Sequence, residues 1–218
     1  MPKRFELLIF DWDGTLIDSA GAIVACIQAA AQDLGLEVPD DARARHVIGL
    51  GLRDALAYAM PALPESEYGR IAERYRHHFL ARDADLPLFA GSRELLERLR
   101  ARGHRLAIAT GKSRAGLMRA LEHQALAGIF EATRCADQCT PKPAPDMLLE
   151  LMDELATTPD RTLMIGDTAH DLVMAANAGV AAVAVGYGAH PPEQLEALGP
   201  LALANSTAEL AAWLDAHA

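Results

Sequence analysis

Two carboxylates lie two residues apart where a short apolar run stops: Leu7 to Phe10 leads into Asp11-Trp12-Asp13-Gly14-Thr15. Neither acid can continue into a hydrophobic core, because burying an unpaired charge is costly. The pair needs a cation, or a role in which one member carries a proton. A divalent cation together with a phosphoryl group supplies both conditions. One carboxylate then attacks phosphorus and forms an acyl phosphate. The other protonates the leaving oxygen and later activates water. Gly14 lets the chain turn sharply, and the Thr15 hydroxyl can fix the loop. Taken alone, the pentad also fits a turn with solvated acids.

Further groups of matching chemistry follow along the chain. Thr110-Gly111 closes a second apolar run, and a hydroxyl with a free backbone N–H near a helix start cradles a phosphate oxygen. Lys142 sits in Pro141-Lys142-Pro143-Ala144-Pro145, where the prolines restrict the backbone and can hold the ammonium in place. A cation there would balance Asp11 and the transferring oxygens, although a solvated loop lysine is the commoner case. Gly166-Asp167-Thr168-Ala169-His170-Asp171 closes a third run. Asp167 and Asp171 can serve as helix caps, or with Asp11 as oxygen ligands of a hard cation such as Mg2+. Capping accounts for either acid singly. It does not explain why successive strands deliver acids or phosphate-binding groups to one edge. Thr110-Gly111-Lys112-Ser113 is not a nucleotide-binding P-loop, since Leu106 stands where the first glycine is required.

The elements that position these groups are legible as alternating runs. Leu7 to Phe10, Arg105 to Ala109, Thr162 to Ile165 and Val180 to Val185 read as buried strands. Helical patterns lie between them at Ser92 to Arg102, Ser113 to His123, Pro145 to Leu155 and Thr168 to Ala178. The expected fold is α/β, with a Rossmann-like open parallel sheet. Residues 17–87 break the rhythm with helical patterns at Ala22 to Leu34, Asp41 to Val47, Leu52 to Ala59 and Glu65 to Ala81. So long a helical block is too large for one connection. The expected division is a core of 1–16 and 88–218 with a small inserted all-helical cap of 17–87.

Taken in order, Asp11-x-Asp13-Gly-Thr, Thr110-Gly111, Lys142 and Gly166-Asp167-x3-Asp171 resemble the four motifs of the haloacid dehalogenase-like hydrolase superfamily. The cap position is similar to the phosphoglycolate phosphatase and β-phosphoglucomutase branch. This resemblance implies Asp11 as nucleophile and metal ligand, and Asp13 as acid/base and a ligand through its carbonyl. It implies phosphate binding by Thr110 and Gly111, charge stabilisation by Lys142, and Mg2+ ligation by Asp167, with Asp171 a ligand or a supporting acid. Asp13 disfavours dehalogenation, because true dehalogenases lack an acid there. The expected activity is hydrolysis of a small phosphomonoester, phosphoglycolate-like or a sugar phosphate. A phosphomutase shares every core residue, and a phospho-acceptor or nucleotide-binding module without turnover is the reading from another class. Gly49-Leu50-Gly51-Leu52-Arg53 resembles a substrate-specificity loop, in which Arg53 could meet a substrate anion.

Composition limits the remaining classes. At 218 residues the chain can hold one sizeable core with an appended module. A net charge of -10 argues against non-specific nucleic-acid binding, which needs a basic surface. Beyond the basic start Met1-Pro2-Lys3-Arg4, the apolar run is too short for a signal peptide. No segment has transmembrane length. Cys26, Cys135 and Cys139 are an odd, sparse set that reads as plain thiols in a reducing cytoplasm. The histidines show no metal-ligand spacing, Tyr187-Gly188 is expected at the cleft edge, and either a monomer or a homodimer fits.

Overall fold

The computed structural model describes residues 4–218, so the basic start Met1 to Lys3 lies outside the described residues. Leu7–Phe10 form β1, and all four side chains are buried. A strand covered on both faces belongs inside a parallel sheet. β1 pairs parallel with β2 (Arg105–Thr110) on one side and β4 (Thr162–Gly166) on the other. With β3 (Ala132–Cys135), β5 (Ala181–Val185) and β6 (Leu203–Ala204), the order is β3-β2-β1-β4-β5-β6. The connections reverse direction between β1 and β4, and at such a point a crevice opens beyond the carboxyl ends of the strands.

The two-residue period of each strand divides the core. Leu8, Phe10, Leu106, Ile108, Leu163 and Ile165 face α5 (Ser92–Ala101), α6 (Arg114–His123) and α10 (Thr207–His217). On the opposite face Leu7, Ile9, Ala107, Ala109 and Met164 meet α7 (Asp146–Glu154) and α8 (Ala169–Asn177). A short α9 (Pro192–Glu196) follows β5. β3 and β6 escape a search for apolar runs. Only Ala132 and Cys135 of β3 are buried, and β6 has two residues. Cys26 and Cys135 are buried free thiols and Cys139 is half-buried; burial pushes the Cys135 thiol up to about 12.

Residues 17–87 carry α1 (Ala20–Asp33), α2 (Asp41–His46), α3 (Leu52–Ala59) and α4 (Tyr68–Leu80). The long pattern expected from Glu65 is a single 3-10 turn, Glu65–Glu67, followed by α4. These helices enclose their own cluster, including Ala30, Val47, Leu56, Met60 and Ile71. The first turns of α1 instead join the sheet core, where Ile23 and Val24 share a cluster with Phe10 and Trp12. The chain leaves and returns side by side: Asp18 N–H donates to the Pro87 carbonyl at 2.9 Å, and Phe89 N–H to Leu16 at 3.0 Å. Among the described residues, no helix is long and apolar enough to cross a membrane.

Candidate active site

The carboxyl ends of β1, β2 and β4 bring the motif residues together. Asp11 follows β1 directly, and its N–H donates to the Ile165 carbonyl of β4 at 2.9 Å. Thr110 ends β2, and Asp167 follows β4. Carboxylate oxygens of Asp11, Asp167 and Asp171 lie within 4.8 Å of one another. All three residues are 0% exposed, and so is Lys142. The Lys142 ammonium is 2.9 Å from Asp11 Oδ1 and 2.5 Å from Asp171 Oδ1. Three buried carboxylates thus face one buried cation, which leaves negative charge uncompensated.

The oxygens are not equally engaged. Asp171 Oδ2 accepts from the Thr168 N–H at 3.0 Å and hydroxyl at 2.7 Å, in a capping box that starts α8. Asp171 is therefore both a helix cap and the partner of Lys142. Asp167 Oδ1 accepts from the Thr15 hydroxyl at 2.8 Å, and Oδ2 from the Ala189 N–H at 2.7 Å. Asp11 has no aligned hydrogen bond on either oxygen, and Oδ2 has no polar partner among the described residues. Burial lifts the Asp11 carboxyl to about 7 against the opposing pull of Lys142, with the Asp171 and Asp13 charges adding to the rise. Burial also carries Asp167 well above the carboxylate range, assisted by Asp11 and Asp171. For Lys142, burial favours the neutral amine, but Asp11 and Asp171 outweigh it and hold the group charged. An orphaned oxygen among hard, crowded carboxylates fits a small divalent cation. Gly14, at φ +85°, makes the close approach possible: a Cβ there would lie 2.2 Å from Asp167 Oδ2.

Asp13 stands on the outer side of this cluster. Its Oδ1 accepts from the Ser19 hydroxyl at 2.9 Å, and the Lys112 ammonium is 3.3 Å from both oxygens. Lys112 also lies over the Phe79 ring, 4.3 Å from its centre, and 4.0 Å from Asp83. The Lys112 side chain is only 10% exposed. Its place after Thr110-Gly111 was the available signal. A Cβ on Gly111 would lie 2.5 Å from the Gly49 carbonyl, so the loop between α2 and α3 rests directly on the Thr110-Gly111 turn. Asp11, Asp13, Thr110, Gly111 and Lys112 all line one cavity of about 580 Å³ beneath α1, α3 and α4.

The other residues singled out in the sequence lie outside this cluster. Arg53 does not reach this cavity. It is exposed, and its Nη2 donates to both carboxylate oxygens of Glu65, at 2.8 and 2.9 Å, on the surface. Tyr187 lies behind the Asp11-to-Thr15 loop, donating its hydroxyl to the Thr15 carbonyl at 3.2 Å and packing edge-on to Phe89. The histidines are less isolated than their spacing implies. His46, His170 and His190 cluster where α2 meets α8, and both His170 Nε2 (2.7 Å) and His190 Nε2 (3.1 Å) donate to the His46 carbonyl. His190 Nδ1 accepts from the Ala169 N–H at 3.0 Å, so both of its ring nitrogens are committed. His78 pairs with Asp33 across α1 and α4 at 2.8 Å.

The sequence matches the family described as haloacid dehalogenase-like hydrolase over residues 8–185. It is 36% identical to a probable phosphatase, IndB, of Dickeya dadantii over 210 residues, covering 94% of this chain and 91% of that protein. It is 32% identical to a 5'-nucleotidase of Pseudomonas aeruginosa, covering 98% and 97%. In fold it is similar to a predicted phosphoglycolate phosphatase from Haemophilus somnus, with a TM-score of 0.85, 24% identity, and coverage of 96% and 98%. With its ordered motifs gathered at one sheet edge, the chain belongs to the haloacid dehalogenase-like hydrolase family.

Proposed function

We propose that the protein is a Mg2+-dependent phosphatase of small phosphomonoesters, working through a phosphorylated Asp11. The observation that carries this reading is the buried, unpartnered Oδ2 of Asp11, at the wall of the cavity and beside Thr110 and Gly111. Asp11 Oδ2 attacks phosphorus as the bond to the ester oxygen breaks. Asp13, aimed by Ser19 and Lys112, gives its proton to the departing oxygen. The Asp13 carboxylate then removes a proton from water, which attacks the acyl phosphate, releases inorganic phosphate and frees Asp11. Lys142 holds Asp11 in place and offsets charge on the transferring group. Thr110 and Gly111 bind a phosphoryl oxygen.

The residues that would hold Mg2+ are Asp11, Asp167 and the Asp13 carbonyl, while Asp171 acts through Lys142, whose ammonium its Oδ1 meets at 2.5 Å. When bound, the cation supplies charge neutralisation for the phosphoryl oxygens. Residues 17–87 act as a cap on a core of 1–16 and 88–218. The side-by-side crossings at Asp18–Pro87 and Leu16–Phe89 support that division, and the contact between Gly49 and Gly111 supports closure over the site. The cap then excludes bulk water until Asp11 is phosphorylated. We place the protein in the cytoplasm, with small phosphorylated metabolites as its substrates.

Many turnovers per site on p-nitrophenyl phosphate with Mg2+, stopped by EDTA, are the expected result. A single sub-stoichiometric burst would instead indicate a phospho-acceptor without turnover.

A further inference from the structure

The cavity that reaches Asp11 is chemically two-ended. Its phosphate end carries Asp11, Asp13, Thr110 and Lys112, while the wall supplied by the inserted helices is apolar: Ile27, Val47, Leu56, Met60, Ile71 and Phe79. The remaining charged groups along it, Arg76, Arg119 and Asp137, are exposed, as groups at an opening are. The one shielded cation on the wall, Lys112, is already shared between Asp13 and Asp83. A compact anion such as phosphoglycolate would thus place its carboxylate against aliphatic side chains with no free buried cation to meet it, at a desolvation cost. It would also leave most of about 580 Å³ unfilled. That volume corresponds to roughly twenty water-sized groups.

We propose that the alcohol half of the substrate is a large, uncharged and mainly apolar group, an alkyl or aryl phosphomonoester, seated on the wall formed by Ile27, Val47, Leu56, Met60 and Ile71. The proposal rests on the phosphatase reading, which it narrows to a substrate class. Phosphoryl recognition stays at the sheet edge and is common to any ester. Discrimination comes from the apolar area buried under the inserted helices, so it grows with the size of the alcohol. Phe79 marks the boundary between the two ends, because its ring also supports the Lys112 ammonium.

The test is a homologous series of ethyl, butyl and hexyl phosphate, with 2-phosphoglycolate and p-nitrophenyl phosphate alongside, assayed for phosphate release with Mg2+. Each added methylene should raise kcat/KM by up to about fourfold, mostly through KM, the factor equivalent to burying one CH2. Phosphoglycolate should fall below hexyl phosphate. Ala55→Phe, at a half-buried position on the same wall, should flatten the series and cut the hexyl-to-ethyl ratio by roughly tenfold. A flat or falling wild-type series, or phosphoglycolate as the better substrate, overturns the proposal while leaving the phosphatase reading intact. No turnover of any ester, p-nitrophenyl phosphate included, overturns both. The wild-type series decides the matter even if the variant does not fold.

Discussion

Replacing Lys142 with glutamine removes the one buried cation from a cluster of three buried carboxylates. Breaking a fully buried pair by deleting one partner costs about 3–5 kcal/mol, because the remaining charge stays desolvated. For a chain of this size each kcal/mol lowers Tm by about 2–4 °C, so a fall on the order of 10 °C is expected in EDTA. The loss has a pH signature. Burial already raises Asp11 to about 7, with Lys142 opposing the rise. A carboxylate raised in the folded state binds more protons there than when unfolded, so its stabilising contribution falls as pH climbs from about 4 through the folded value. Without Lys142 the folded value climbs further. The Tm deficit should therefore be larger at pH 8 than at pH 5.5, where Asp11 accepts a proton instead of standing as an unpaired charge. The acid limb of kcat/KM should move to higher pH, and kcat should drop by about 10²–10³-fold, the scale for removing one preorganised charge at a reacting oxyanion. Differential scanning fluorimetry at the two pH values and steady-state rates measure all three. An unchanged Tm at both values with kcat within a few-fold of wild type would refute the charge-balance argument.

Three further outcomes follow from named contacts. Asp13→Asn should lower kcat by about 10²–10⁴-fold with little change in Tm, since its partners Ser19 and Lys112 still have an amide oxygen to bind; near-wild-type turnover would remove Asp13 from the proton path. Lys112→Met should lower kcat by about 10- to 100-fold, the range for losing a hydrogen bond to a charged group, while leaving Mg2+ affinity nearly unchanged in a thermal-shift titration. Gly111→Ala should raise KM and lower kcat together, because its Cβ would meet the Gly49 carbonyl and hold the inserted helices off the site; unaltered kinetics would show that this contact is not made during turnover.

Much of the site was legible because each apolar run ends where its chemistry begins. Phe10, Ile165 and Ala109 are buried strand residues, and Asp11, Asp167 and Thr110 stand within two residues of them. Parallel strands with both faces covered leave a strong local signature, so β1 was placed to the residue and the polar groups at its end could be read as a set. What escaped depends on contacts between distant parts of the chain. Lys112 and Asp13 are 99 residues apart in sequence, and His46 and His170 are 124 apart. No local spacing encodes either pairing. β3 was hidden because an edge strand needs few apolar residues, and Thr133 and Arg134 are half-exposed there. Arg53 was drawn to the site by its position after a glycine loop, yet Glu65, twelve residues on, offers both carboxylate oxygens on the surface. Asp171 shows that helix capping and site chemistry are compatible: one oxygen starts α8 while the other fixes Lys142.

The central claim is that Asp11 carries the phosphoryl group between the two half-reactions. Rapid acid quench of wild-type protein during steady turnover of p-nitrophenyl phosphate with Mg2+, followed by proteolysis and mass spectrometry, measures this directly. The predicted result is a phosphorylated peptide with the modification at Asp11, absent from Asp11→Asn, which should also be inactive. Phosphorylation at another residue, or continued turnover by Asp11→Asn, would contradict the account.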